Sequence, residues 1–105
     1  RAGENLRAAL QAHFEIGDHP NAVFSLASFA GLAMDEGNPV RALRLAGAFL
    51  SLGGGLGLVQ NPFEREDFER HLAQAREAVG LTAAAEEAAG ARFTLDEAFA
   101  YALGE

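Results

Sequence analysis

The sequence predicts an all-α fold: antiparallel helical hairpins forming a fragment of an α-solenoid, with five to six helices. Three observations predict it. Alanine, the residue with the highest helix propensity, fills 23 of the 105 positions, and β-branched residues are scarce. Apolar residues recur at helical spacing, and no stretch alternates apolar and polar as a half-buried strand would. Residues of matching kind stand 34 positions apart: Gly3 with Gly37, Leu6 with Val40, Ala8 with Ala42 and Ala12 with Ala46.

That period is the length of a tetratricopeptide-like helix pair. Such a pair packs closely where small side chains let one helix approach the next. The first helix is expected from Glu4 to Ile16, stopped by Gly17, with Asp18-His19-Pro20 as a turn. Pro20 or Asn21 opens the second, which runs to about Glu36 with Leu26, Phe29, Ala30 and Ala33 on one face. Gly37 fits the left-handed position after that helix, and Asn38 and Pro39 open the third. Ala42, Ala46 and Phe49 form the face of this helix, which is expected to end near Leu52.

Gly53-Gly54-Gly55-Leu56-Gly57 reads as the start of a flexible connector over 53–61, because glycine carries the largest backbone entropy. Asn61-Pro62-Phe63-Glu64 restarts helix as a capping box, and Phe68, Leu72, Ala75 and Val79 give the new helix one apolar face. Gly80 ends it. Thr82 is placed to cap a short helix through Ala89, with Gly90 as its stop. Thr94-Leu95-Asp96-Glu97 is a second capping box, with Phe93 in the staple position and Leu95, Phe99, Ala102 and Leu103 facing inward. The whole, 1–105, reads as one helical-repeat domain: repeat-like helices over 1–52, the connector over 53–61 and C-terminal helices over 62–105.

Composition excludes several functions. The net charge is −7 and every cation is arginine, so phosphate backbones and anionic membranes are disfavoured and no direct nucleic-acid contact is expected. With no cysteine there are no disulfides and no thiolate metal sites. No apolar run reaches the ~20 residues a membrane span needs, and the cytoplasm is the expected compartment. The chain begins at Arg1 rather than Met, as expected of either a fragment of a longer protein or a processed product.

No motif reads as catalytic. The glycine run lacks the GxxxxGK[ST] and GxGxxG spacings and follows a helix rather than a strand. His13, His19 and His71 are the only histidines, too few and too scattered for the converging ligands of a metal site. Glu64, Glu66, Asp67 and Glu69 crowd a helix start, where negative charge is favourable by about 0.3–1 kcal/mol. Arg65, Arg70 and Arg76 interleave with them as on a solvated face. Ser25, Ser28 and Ser51 have no evident triad partners. No enzyme activity and no cofactor are expected.

A resemblance adds to this reading. Gly37-Asn38-Pro39, Arg41-Ala42-Leu43-Arg44-Leu45-Ala46-Gly47-Ala48, then Glu69-Arg70, Leu72-Ala73, Ala75-Arg76, Val79-Gly80, Gly90, Thr94-Leu95-Asp96-Glu97-Ala98 and Tyr101-Ala102-Leu103 follow in an order similar to a stretch of large bacterial regulators. From about Asn21 to Leu103 the chain resembles the C-terminal helical region of LuxR-type, ATP-binding transcriptional regulators. The resemblance implies a tetratricopeptide-like solenoid for protein–protein interaction or signal reception, with nucleotide- and DNA-binding modules elsewhere in the parent. Two departures stand out. The glycine run replaces a more helical connection. In the short helix after Thr82, Ala83 and Glu87 stand where aromatic residues are usual, so that helix is expected to be weakly anchored.

The expected partner is a protein or another domain of the parent chain. The alternative is a structural cap that closes a longer solenoid and forms a homodimer. Phe24, Ser28 and Arg44, on the inner helices of a solenoid groove, are the candidate contact residues.

Overall fold

The computed structural model describes residues 19–56 and 62–104, together with Ala8, Gln11, Ala12, Glu15 and Gly17. Side chains at 19–22, 24, 54–56 and 62–64 lie outside the description. In order, the helices are α1 (His19–Asp35), α2 (Pro39–Leu56), α3 (Pro62–Val79), a 3₁₀ turn (Gly80–Thr82), α4 (Ala83–Ala91) and α5 (Leu95–Leu103). Among the described residues there is no strand. Ala8, Gln11, Ala12 and Glu15 are helical, and Gly17 has φ +79°, as a stop residue requires. The expected turn residue Asp18 and the capping residue Asn61 lie outside the described residues.

The α1–α2 turn is made by local chemistry. Gly37 sits at φ +77° and donates to the Met34 carbonyl at 3.0 Å. Asn38 N–H reaches the Ala33 carbonyl at 2.8 Å, completing a Schellman motif. The Asn38 side chain then accepts from Arg41 N–H at 3.3 Å, so one residue closes α1 and caps α2. The turn folds α2 back on α1.

Helix α2 is the centre of the molecule. Ala42, Leu43, Leu45, Ala46, Ala48 and Phe49 are all buried, so nearly its whole circumference is covered. Helix α1 covers it with Val23, Leu26, Phe29, Ala30 and Ala33, helix α3 with Phe68, Leu72 and Ala75, and helix α5 adds Ala98, Phe99 and Ala102. The Phe49 and Phe68 rings meet at 5.1 Å between centroids, tilted by 58°.

Several expectations change. Helix α2 does not stop near Leu52; it continues through Gly53, Gly54 and Gly55 to Leu56. Glycine raises the cost of a helix by about 1 kcal/mol each without forbidding it, and the helix is already committed by its buried turns. The connector expected over 53–61 is therefore helical up to Leu56, and 57–61 lie outside the described residues. Thr82 does not cap α4 with its side chain. Its φ −94° and ψ 3° belong to the incoming 3₁₀ turn, whereas an N-cap needs an extended backbone. Thr94 has that backbone, at φ −71° and ψ 168°, and its capping box is complete: Glu97 N–H donates to Thr94 Oγ1 at 3.2 Å and Thr94 N–H to Glu97 Oε1 at 2.9 Å. The matched pairs of the 34-residue spacing also differ in environment. Ala42 and Ala46 are buried, whereas Ala8 and Ala12 are exposed.

Candidate functional site

Gly90 does not terminate α4. It lies within the helix, buried against α2. A Cβ added to Gly90 would fall 2.5 Å from the Arg44 carbonyl carbon and 2.6 Å from Arg44 Cα. A Cβ on Gly47 would meet Glu87 C and Ala91 N, each at 3.1 Å, with the Glu87 carbonyl oxygen nearer still. The contact is reciprocal. Gly47 of α2 receives the backbone at Glu87 of α4, and Gly90 of α4 receives the backbone at Arg44 of α2. Each helix supplies a notch for the other, and only glycine leaves room.

One ion pair spans the crossing and a second ties α4 to α3. Arg44 Nε and Nη2 both donate to Glu86 Oε1, at 3.2 and 2.9 Å. Arg76 of α3 grips both carboxylate oxygens of Glu87, Nε to Oε1 at 2.9 Å and Nη2 to Oε2 at 3.0 Å, a two-point fork. The hydrogen bond to Glu86, with a further one to Tyr101, holds the Arg44 guanidinium above its ordinary pKa, and Glu87 does the same for Arg76. Arg41 reaches over to α5, donating from Nη2 to the Ala102 carbonyl at 2.8 Å with its Cζ 4.9 Å from the Tyr101 ring centroid. Tyr101 in turn packs on Phe93, the staple-position residue, at 5.2 Å between ring centroids.

The short helix is thus firmly held, which corrects the expectation of weak anchoring. Backbone contact at the two glycines and the ion pairs of Glu86 and Glu87 hold it. Fewer side chains intervene, so the helices come closer.

The close crossing leaves a groove on its outer side. It is open to solvent, about 790 Å³, between the second half of α2 and α4. Gly47, Gly80, Ala84 and Ala88 are among its lining residues, and the Arg76–Glu87 pair borders it. Leu50, 47% exposed, and Leu81, 104% exposed, stand at it as large apolar side chains facing water. Leu81 is held out on the 3₁₀ turn that Gly80 begins at φ +80°.

The sequence-predicted contact residues lie elsewhere. Ser28 is exposed on α1, Arg44 is committed to Glu86, and neither lines the groove. Phe24 is helical, with its side chain outside the description. Sequence reasoning missed Leu50 and Leu81. A signal existed for Leu81: a leucine between Gly80 and Thr82, in a turn, belongs to no helix face.

The remaining candidates resolve into structural roles. The His71 ring lies over Gly31, which has no side chain to displace it, and its Nδ1 is 3.8 Å from Asp67 Oδ2. Arg70 also pairs with Asp67, within one turn of α3. Among the described residues no group of three His, Asp or Glu is placed to hold a metal ion. No helix among them is long and apolar enough to cross a membrane. No family model matches the chain, and neither a curated protein nor a solved structure does.

Proposed function

We propose that this chain is a non-catalytic, tetratricopeptide-like helical-repeat module that binds a protein partner or another domain of its parent chain. The observation that carries the reading is the α2–α4 groove with Leu50 and Leu81 at its edge. Single exposed apolar residues are ordinary, but a fully exposed leucine on a well-held turn beside an open, small-residue groove is a surface built to be covered. The α1–α2 hairpin, two helices folded back on each other at Gly37, supports the repeat. The parent class, a bacterial LuxR-type regulator acting in the cytoplasm, rests on the sequence resemblance, and the module would serve there as a signal-receiving or docking segment.

Site-specific photocrosslinking tests this. A photoreactive residue at Ala88, within the groove, should yield a protein adduct in the native cell, and one at Ala73, exposed on α3 outside it, should not. Equal labelling from both positions, or none from Ala88, contradicts the reading.

A second reading is a cap that closes a longer solenoid and dimerises. Helix α5 favours it, because its outward positions Asp96 and Glu97 are exposed and polar, as on a terminal repeat. Light scattering separates the two, since the cap reading predicts a dimer and the binding reading a monomer.

A further inference from the structure

Helix α2 ends on glycine. Gly53, Gly54 and Gly55 stand in succession before Leu56, and all four are helical. Tertiary contact holds the helix as far as Gly53: Phe49 is buried, Leu52 packs against the core and Gly53 itself is buried. Beyond that point Gly54 and Gly55 have no side chain with which to add burial.

Helix propensity weighs against the turn they form. A good helix former extends a helix with an equilibrium factor of about 1–1.6 per residue, and glycine is about fivefold poorer than alanine. Two glycines in succession therefore favour the unwound turn by on the order of tenfold. Helix α1 ends in the opposite way, since the N–H groups of Gly37 and Asn38 take up the Met34 and Ala33 carbonyls and close its last turn.

The hydrogen bonds at stake in α2 are those of any α-helix. They run from the N–H groups of Gly54, Gly55 and Leu56 to the carbonyls of Leu50, Ser51 and Leu52, four residues back. Leu50 and Ser51 also line the α2–α4 groove. The glycine turn and the groove thus share the same peptide groups.

We propose that the last turn of α2, residues 54–56, is a helix–coil switch that opens and closes while the rest of the chain stays folded. Closed, it consumes the Leu50 and Ser51 carbonyls. Open, it leaves them as free acceptors at the groove. The groove therefore has two forms that differ in hydrogen-bonding capacity. The switch is a property of this chain alone and does not depend on what occupies the groove.

Amide hydrogen exchange of isotope-labelled chain, read by NMR and corrected for intrinsic rates, tests the proposal. The amides of residues 54–56 should be at least about tenfold less protected than those of residues 45–49, and low urea should leave their exchange unchanged. The double variant Gly54→Ala/Gly55→Ala should raise protection at 54–56 by about 25-fold, two steps of about fivefold. Should the added methyl groups disturb the fold, Gly55→Pro decides. Proline cannot donate to the Ser51 carbonyl and its ring clashes there, so this variant holds the turn open. It should leave the urea midpoint of the chain and the protection at 45–49 unchanged, while the Ser51 carbonyl-carbon resonance moves as its partner is lost.

Protection at 54–56 equal to that at 45–49, with the same urea dependence, overturns the switch. So does a Gly55→Pro chain whose folding equilibrium falls by on the order of a hundredfold, the cost of proline in a helix interior. An unmoved Ser51 resonance in Gly55→Pro overturns the link to the groove. None of these outcomes bears on crosslinking at Ala88, so the binding reading stands or falls separately.

Discussion

Gly90→Ala places one methyl group where α2 and α4 touch. The new carbon would lie 2.5 Å from the Arg44 carbonyl carbon and 2.6 Å from Arg44 Cα. Ordinary carbon contacts lie at about 3.5–4.0 Å, and the Arg44 carbonyl oxygen is nearer still, so the helices must part by more than about 1 Å. No side chain can swing aside, because the obstruction is backbone. Overpacking of this kind costs about 1–3 kcal/mol, and the upper end applies here. Replacing glycine by alanine inside a helix returns about 1 kcal/mol, leaving a net loss of about 2 kcal/mol. Gly31→Ala supplies the contrast. There the added carbon meets the His71 ring at 3.4 Å, an ordinary contact with a side chain, so the propensity gain of about 0.5–1 kcal/mol should survive. Urea unfolding followed by far-UV circular dichroism reads both. Gly90→Ala should lower the midpoint and Gly31→Ala should raise it, with unchanged slopes. A Gly90→Ala protein as stable as the parent, or both variants moving in the same direction, would refute the glycine crossing.

Other expectations follow from single contacts. Thr94→Ala should lose about 1 kcal/mol with the capping box, whereas Thr82→Ala should stay within about 0.5 kcal/mol, because its hydroxyl makes no cap bond; denaturant midpoints compare them. Gly37→Ala should destabilise by about 1 kcal/mol, since an alanine at φ +77° is strained, and amide exchange at Asn38 should quicken as the Schellman bond weakens. Arg44 has its pKa raised in the folded chain, chiefly by Glu86. Its contribution is therefore complete below the unfolded pKa and is lost only as pH rises through the higher folded one. Both lie far above neutrality, so the stability difference between the parent and Arg44→Met should stay constant between about pH 6 and 9, as read from urea midpoints at several pH values.

The sequence shows its helix boundaries where a boundary has one stereochemical solution. Gly37 before Asn38-Pro39, Gly80 after Val79 and the Thr94–Glu97 box all declare themselves, because a left-handed residue or an extended cap admits few residue types. The faces of α1 and α3 are legible for a similar reason: Leu26, Phe29, Ala30 and Ala33, and Phe68, Leu72 and Ala75, repeat at helical spacing and are buried. Glycine is where the reading fails, since one letter serves three purposes. Gly37 supplies a positive φ, Gly53 to Gly55 continue a helix that packing sustains, and Gly47 and Gly90 clear space for a neighbour. The last role depends on a helix far away in sequence, which no local window contains. Thr82 misleads in the opposite way, as a good capping residue on a backbone that the preceding 3₁₀ turn has already set. The groove was illegible because it is a consequence of the Gly47–Gly90 approach. Arg44 drew attention as a cation on an inner helix, but its partner Glu86 lies across that same unseen crossing.

On the binding reading, a protein partner lands on the α2–α4 groove. Photoreactive residues placed singly at Leu81, Ala88, Ser28 and Ala73 would locate it. Adducts from Leu81 and Ala88, with none from Ser28 and Ala73, are the predicted result. Adducts from Ser28 on α1, with Leu81 and Ala88 unlabelled, would contradict it.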